Sequence, residues 1–292
     1  PGSLRQRAFG LTVFVIVGLI PITLASLIGP NPPALLAFLF IMSAGFTWSA
    51  RYGDRLAHVG WVLSTWLTLV LGFKVWDSIT FNFVGYASGS LMVVFAAIVP
   101  PILRSADPAS AADRSPLVLP RTIRLAELLS MVLIRASAIT LAAFIGQRYF
   151  QFNAFWVALT TVLMMPPEVK IHWNRSLNRA IGTVLGAIAG FGLVSLKGSN
   201  ELMLQAVEII MAFMLIVTIR RKPYGLFVFF LSIFIITQLG LQGIEVARAG
   251  GMERVVATLI GIGIAIVNNA ILVSIVHRLR NEGEKAQSEN GF

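Results

Sequence analysis

The chain is a succession of long apolar runs separated by short segments that carry most of its charge. Hydrophobic residues make up 57% of its 292 residues and charged residues only 12%, which is about half the charged share of an average soluble domain. Runs of this length can cross the roughly 30 Å hydrocarbon core of a bilayer as helices, whose backbone groups are hydrogen-bonded internally. The sequence therefore predicts an all-α integral membrane protein.

Ten runs qualify as transmembrane helices, although the sixth is short and stops at Pro166 and Pro167. A proline pair ends a helix, so the sixth span is expected to be a broken helix. The ten predicted spans cover residues 8–29, 33–50, 55–73, 83–103, 126–146, 154–166, 179–196, 202–219, 225–243 and 255–276.

One segment between the fourth and fifth spans is rich in Ala, Ser, Pro and Asp, which is typical of a linker. It divides the spans into four plus six. The predicted units are a four-span membrane unit at 1–104, a cytoplasmic linker at 105–120, a six-span unit at 121–280 and a flexible tail at 281–292.

The positions of the basic residues predict the orientation of the chain. Its net charge is +10, and most of its 23 lysines and arginines lie in the segments on the same side as the N-terminus. This bias places both termini in the cytoplasm. Because the cations lie between apolar runs, they indicate topology and not nucleic-acid binding. The chain has no cysteine, which excludes a disulfide framework and a thiolate metal site.

An arginine, a threonine and a glycine recur with one spacing at the start of the seventh and tenth spans. The two sets are Arg179, Thr183 and Gly186, and Arg254, Thr258 and Gly261. Offsets of i, i+4 and i+7 place each set on one helix face, with the arginine at the membrane boundary. On the predicted topology the two copies run in opposite directions. The last six spans are therefore expected to form a 3+3 inverted repeat, as in many transporters.

Small residues extend this face in the seventh span, where Gly182 and Gly190 flank Gly186 at four-residue intervals. Such ridges let helices approach closely. The repeated residues are therefore expected to serve helix packing and gating.

Arg135 lies near the middle of the fifth predicted span. An unpaired charge there would cost at least about 2.5–3.5 kcal/mol, so its side chain must face protein or water. One interpretation is an anion-binding group that recruits a carboxylate into the transport path; the other is a structural ion pair. Glu208 is its candidate partner and a candidate for proton coupling, the alternative being a carboxylate that stays hydrated near the surface.

The broken sixth span is a further candidate for substrate binding. It carries an aromatic side chain, Trp156, and two hydroxyls, Thr160 and Thr161. The ends of broken helices leave backbone dipoles free, and such ends commonly hold substrate in transporters. A tilted or re-entrant structural helix is the alternative. The sequence shows no acidic or histidine-rich metal set and no nucleophile–base pair, so neither an enzyme nor a metal or cofactor is predicted.

The segment FWVALTTVLMMPPEVKIHWNRSLNRAIGTVLGAIAG resembles the fusaric acid resistance family. Its pattern is a span containing tryptophan, a proline break and then Arg-x2-Gly-Thr-x2-Gly-x3-Gly, and the later ERVVATLIGIGIAIV resembles the family's second such span. Arg135 stands where the first repeat helix of the family often carries an arginine. The resemblance covers about residues 121–280, and the motif is carried by Trp156, Pro166, Arg179, Gly182, Thr183, Gly186 and Gly190.

The resemblance implies an exporter of aromatic acids in the bacterial inner membrane, related to the plant aluminium-activated malate channels. It also implies a periplasmic adaptor of the membrane-fusion type and a homodimer. The expected activity is export of a small organic anion, driven by proton motive force or membrane potential, for example as an antiporter. A passive anion channel of the same fold and a non-transporting subunit of an efflux complex remain the alternatives.

Overall fold

The computed structural model describes residues 18–72, 124–151, 154–196, 201–221 and 224–289. All regular structure within these residues is helical. The elements are α1 (Gly18–Ile28), α2 (Pro32–Trp48), a 3₁₀ turn (Ser49–Tyr52), α3 (Asp54–Gly72), α4 (Leu125–Tyr149), α5 (Ala154–Met164), α6 (Trp173–Leu196), α7 (Glu201–Arg221), α8 (Tyr224–Gln242) and α9 (Ile244–Glu289).

Six helices of the described residues are long and apolar enough to cross a membrane, in line with the predicted multi-pass helical protein. They are Pro32–Tyr52, Leu125–Tyr149, Trp173–Leu196, Glu201–Thr218, Tyr224–Gln242 and Ile244–Leu279. Three shorter apolar helices, at Gly18–Ile28, Leu56–Gly72 and Ala154–Met164, coincide with further predicted spans. The predicted fourth span and the linker at 105–120 lie outside the described residues, so the total of ten spans stays a prediction.

Two helices begin earlier than the apolar pattern predicts. Helix α6 starts at Trp173 and α9 at Ile244, whereas the predicted spans begin at 179 and 255. Hydropathy marks where a helix becomes apolar, and a helix can begin in the turns before that point. Arg179 and Arg254 therefore lie within their helices and not at their starts. Helix α9 also continues to Glu289, through most of the segment predicted to be a flexible tail.

The chain divides into two compact units, Pro1–Ala136 and Ser137–Phe292, with the boundary inside α4. In the first unit, Asn31 caps α2 by accepting a hydrogen bond from the amide of Ala34, and prolines occupy the first helical positions. Helices α2 and α3 pack together. A buried cluster of Ala50, Leu128 and Val132 joins the turn after α2 to the first part of α4.

In the second unit, the contacts between helices define their directions. Helices α6 and α8 run parallel, because Gly182 lies against Val228 and Gly190 against Ile236. Helices α5 and α9 also run parallel to each other, since their early residues meet at Trp156 and Arg254 and their later ones at Met164 and Asn269. The first of these contacts is a stack of the Arg254 guanidinium on the Trp156 ring, and the second is a hydrogen bond from Asn269 to the Met164 carbonyl. Helix α6 runs antiparallel to α5, because Arg179 bonds Thr160 while the earlier Ser176 bonds the later Met164.

Helix α5 is too short for a straight crossing of the bilayer. It has 11 residues, about 16 Å at 1.5 Å per residue, and it ends just before Pro166, where a proline disfavours further helix. The carbonyls at a helix end need partners inside a membrane protein. Asn269 of α9 supplies one, because its Nδ2 donates a hydrogen bond to the Met164 carbonyl at 3.2 Å.

Candidate functional site

Two arginines are buried almost completely inside the second unit. Arg179 of α6 and Arg254 of α9 each expose 1% of their surface and are the two largest fully buried side chains among the described residues. They are also the first residues of the two repeated motifs. Moving an ion from water into a protein interior costs several kcal/mol even after relaxation, so the surroundings of these guanidinium groups are decisive for their role.

Arg179 is held by two hydroxyl groups from different helices. Its Nη1 donates to the Tyr224 hydroxyl at 2.8 Å, and its Nη2 donates to Thr160 Oγ1 at 3.1 Å. Tyr224 is the first residue of α8, and Thr160 lies in the short helix α5. The Nε atom of Arg179 is buried and has no hydrogen-bond partner. The guanidinium is thus held at both Nη atoms, while its Nε has no partner.

Arg254 is held mainly by an aromatic face. Its Cζ atom lies 3.8 Å from the centroid of the Trp156 ring, well inside the distance of about 6 Å that defines a cation–π contact. Its Nε donates to Ser232 Oγ of α8 at 3.3 Å, which is long for such a bond. Its Nη1 is buried without a partner. Arg254 therefore has fewer polar contacts than Arg179.

Neither arginine has a carboxylate within salt-bridge distance among the residues that the structure describes. Instead, both side chains contact helices α5 and α8, through Thr160 and Tyr224 for Arg179 and through Trp156 and Ser232 for Arg254. Buried charges in proteins are normally paired with opposite charges or bound ions. The described part of the chain thus leaves two positive charges uncompensated at one place in its interior.

The hydroxyl groups that bind the arginines are positioned by the repeated glycines. A methyl group on Gly261 would lie 2.7 Å from both Thr160 Cβ and the Val157 carbonyl oxygen. A methyl group on Gly186 would likewise lie 2.7 Å from Ser232 Cβ. Thr160 and Ser232 therefore each lie against the glycine of one repeated motif and bind the arginine of the other.

The close approach at Gly261 leads to a prediction about stability. We expect Gly261→Val to lower the free energy of unfolding by about 1–3 kcal/mol, because the new side chain must displace α5. Gly263→Val is the matched control, since Gly263 lies in the same helix with nothing within 4 Å of an added Cβ. Thermal unfolding of the purified variants in detergent measures the difference. Equal midpoints would contradict the tight contact with Thr160.

Comparisons with known proteins identify this region of the chain. Residues 129–268, which include both arginines and all of the hydroxyls that bind them, match the family model described as fusaric acid resistance protein-like. The matched region is slightly less than half of the chain. The resemblance predicted from the motifs is thereby confirmed.

Two relatives of the chain are uncharacterized proteins. One, from Haemophilus influenzae, is 32% identical over 118 residues, which are 40% of this chain and 16% of the relative. The other, from Synechocystis sp., is 27% identical over 112 residues, which are 38% of this chain and 15% of the relative. The matched part thus spans about a sixth of each relative's length. No solved structure matches the chain significantly.

Within the fusaric acid resistance-like domain, the structure brings together some of the predicted binding residues. Trp156 contacts Arg254, and Thr160 contacts Arg179. The hydroxyl of Thr161 instead bonds the carbonyls of Val157 and Gly261, so it joins α5 to α9. The sixth predicted span therefore contributes one face to the arginines and another to helix packing.

Other predicted residues of the domain lie elsewhere. Arg135 is 6% exposed and belongs to the first compact unit, whereas Glu208 is half-buried in α7 of the second. Their pairing stays a prediction. Thr183 and Thr258 are each 1% exposed. The packing glycines of α6 lie along α8, where an added Cβ on Gly182 would lie 2.5 Å from the Gly225 carbonyl oxygen.

Two residues of the site were not predicted from the sequence. Tyr224 follows a cluster of cations, which gives it the appearance of an interfacial anchor. Ser232 is the single hydroxyl in the apolar stretch FVFFLSIFII. A lone hydroxyl in so apolar a helix is a usable signal, because a buried hydroxyl generally needs a hydrogen-bond partner.

Proposed function

We propose that this domain is the transport part of a membrane exporter of organic anions, with aromatic carboxylates as the favoured substrates. The observation that carries the proposal is the pair of buried arginines, Arg179 and Arg254, with no carboxylate bound to either within the described residues. A diffusible anion would supply the missing negative charge. The two relatives are several times longer than the region that matches this chain. The activity of a complete protein of that length is part of the proposal.

The chemistry of the free donors favours a carboxylate. Guanidinium groups bind carboxylates through short, charge-assisted hydrogen bonds. Arg179 Nε and Arg254 Nη1 are both buried and without partners, so each can donate to an incoming anion without breaking an existing bond. In an interior of low dielectric such bonds are stronger than in water. Binding an anion would thus offset part of the cost of burying the two charges.

The aromatic residues at the site favour an aromatic acid. Trp156 presents its face to Arg254, and Phe155 lies beside it with ring centroids 4.9 Å apart. Tyr224 contacts Arg179. Aromatic rings prefer such neighbours by about 0.5–1.5 kcal/mol beyond their burial. The family name, which refers to resistance to an aromatic acid, points in the same direction.

The opposite directions of the helices around the two arginines support the proposed 3+3 inverted repeat. Helices α6 and α9, which carry the repeated motifs, run antiparallel, and so do α5 and α8, which carry the hydroxyls. Gly186 of α6 packs against α8, and Gly261 of α9 packs against α5. Each long helix thus packs against a helix of the other proposed repeat. Inverted repeats place the substrate near their axis in many transporters, which is where the two arginines lie in this proposal.

The remaining features of the proposed transporter rest on the sequence. We place it in the bacterial inner membrane with both termini in the cytoplasm, acting as a homodimer with a periplasmic adaptor. Glu208 is the proposed proton-coupling group; its Oε1 atom is buried and accepts no hydrogen bond from the described residues. If export is an antiport with protons, Glu208→Gln should remove only the part of transport that a pH gradient drives.

Reconstitution of the purified protein in liposomes tests the proposed function. We expect efflux of benzoate to exceed efflux of cyclohexanecarboxylate, an acid of similar size without an aromatic ring. Protein-free liposomes and liposomes containing an unrelated membrane protein are the controls. Movement of benzoate against its electrochemical gradient, when a pH gradient is imposed and the membrane potential is held at zero, identifies an exporter.

Two other results would change the interpretation. Benzoate flux that always follows its electrochemical gradient would contradict the exporter and identify the passive anion channel. No flux above the controls for any acid would contradict transport by this chain and favour a non-transporting subunit of an efflux complex.

A further inference from the structure

We propose that Arg179 and Arg254 are two separate anion-binding positions arranged in series along the transport path, each of which takes one monocarboxylate. This inference rests on the proposed function, since it assumes that the buried arginines meet a diffusible organic anion. It goes further by assigning the number of anions and the order in which they are met.

The helices that contact the arginines show that the two guanidinium groups lie at different depths. On α5, Arg179 contacts Thr160 and Arg254 contacts Trp156, four residues apart or about 6 Å along the helix. On α8, Arg179 contacts Tyr224 and Arg254 contacts Ser232, eight residues apart or about 12 Å.

These two helices run in opposite directions but give the same order. The C-terminal end of α5 and the N-terminal end of α8 both lie on the side where α6 begins, because α6 is antiparallel to α5 and parallel to α8. Arg179 is nearer to that side on both helices. An anion that crosses the domain from that side therefore meets Arg179 first and Arg254 second.

The donors also favour separate positions over one shared position. Arg179 is anchored at both Nη atoms, which leaves Nε as its unpartnered donor; Arg254 is anchored at Nε and its ring contact, which leaves Nη1. A carboxylate, whose oxygens lie about 2 Å apart, can bridge two donors up to about 8 Å apart through hydrogen bonds of about 2.9 Å. The contacts on α8 differ by about 12 Å, which exceeds that reach. We therefore assign one carboxylate to each arginine, and the titration below distinguishes this arrangement from one bridging anion.

The charges at the two positions make transfer between them favourable. When an anion is bound at one arginine, the other arginine keeps an uncompensated positive charge. That charge attracts a second anion, or draws the bound anion across from the first arginine. The repulsion between the two positive charges is removed when an anion is bound at each of them. Two unequal positions of this kind bind an anion well enough to admit it and weakly enough to release it, as conduction requires.

Isothermal titration of the purified protein with benzoate tests the inference. The protein is kept in an uncharged detergent and a zwitterionic buffer without chloride, so that benzoate is the monoanion supplied. We expect two benzoates per chain for the wild type, and one for each of Arg179→Gln and Arg254→Gln. The exposed Arg248 of α9 provides the control Arg248→Gln, which should keep two.

Each outcome has a distinct meaning. One benzoate per wild-type chain would overturn the two positions and identify a single shared site, while leaving the proposed function intact. No benzoate bound by the folded wild type would contradict the proposed function itself. Thermal unfolding of every variant verifies that it is folded, and Arg179→Met and Arg254→Met replace any glutamine variant that is not.

Discussion

Replacing both buried arginines, as Arg179→Gln and Arg254→Gln in one chain, is expected to abolish benzoate transport while making the protein more stable without anion. Transport should fall at least about 100-fold, because each lost charge-assisted hydrogen bond to a carboxylate is worth about 1.5–3 kcal/mol. The rate of benzoate efflux from liposomes measures this loss.

The gain in stability follows from the lack of negative partners. Removing a buried ion pair in favour of uncharged residues is often neutral or stabilising by about 1–4 kcal/mol, and here two like charges have no carboxylate within the described residues. Glutamine can still bond to Thr160 or Ser232.

A purely structural role for the arginines leads to the opposite expectation. If their main task is to lock α5, α6, α8 and α9 together, each substitution should lower the midpoint of thermal unfolding. Arg248→Gln, on the exposed side of α9, controls for the loss of a charge as such and should leave both transport and stability unchanged.

Replacing Trp156 by leucine is expected to reduce the preference for aromatic acids. The ring contributes a cation–π contact and an aromatic neighbour, worth about 0.5–2 kcal/mol in comparable sites. Benzoate affinity should therefore fall about two- to thirtyfold more than the affinity for cyclohexanecarboxylate. Competition between the two acids in the efflux assay measures this ratio directly.

The matched control for this change is Trp173→Leu, since Trp173 is exposed at the start of α6. Loss of Arg254 positioning would weaken the binding of both acids equally, so only the ratio reports on recognition of the ring. An unchanged ratio in Trp156→Leu would contradict a role of this side chain in selecting aromatic substrates.

Much of the fold follows from local sequence, because a membrane helix must be apolar and internally hydrogen-bonded. Helices α2, α4, α7 and α8 begin and end close to the predicted limits, and the short helix α5 ends at the predicted proline break. The starts of α6 and α9 could not be read from hydropathy, since their first turns are polar yet helical. This difference moved Arg179 and Arg254 from the predicted boundary to the interior of their helices.

The site was predictable only in part for a different reason. The repeated motifs and Trp156 are visible in the sequence, but contacts between spans many residues apart are determined by packing. Nothing local indicates that Thr160 meets the arginine of α6 while Ser232 meets that of α9. The glycines were interpreted as a packing ridge, and the structure shows that the same close approach also positions the hydroxyls that hold the arginines.

The central claim is that the buried arginines bind an organic anion, and the benzoate dependence of thermal unfolding tests it most directly. For the wild type, benzoate at about 100 times its dissociation constant should stabilise the protein by about 2.7 kcal/mol per site and raise the midpoint by several degrees. The double variant Arg179→Gln, Arg254→Gln should start at a higher midpoint and show no response to benzoate. An equal rise in both proteins would contradict the account.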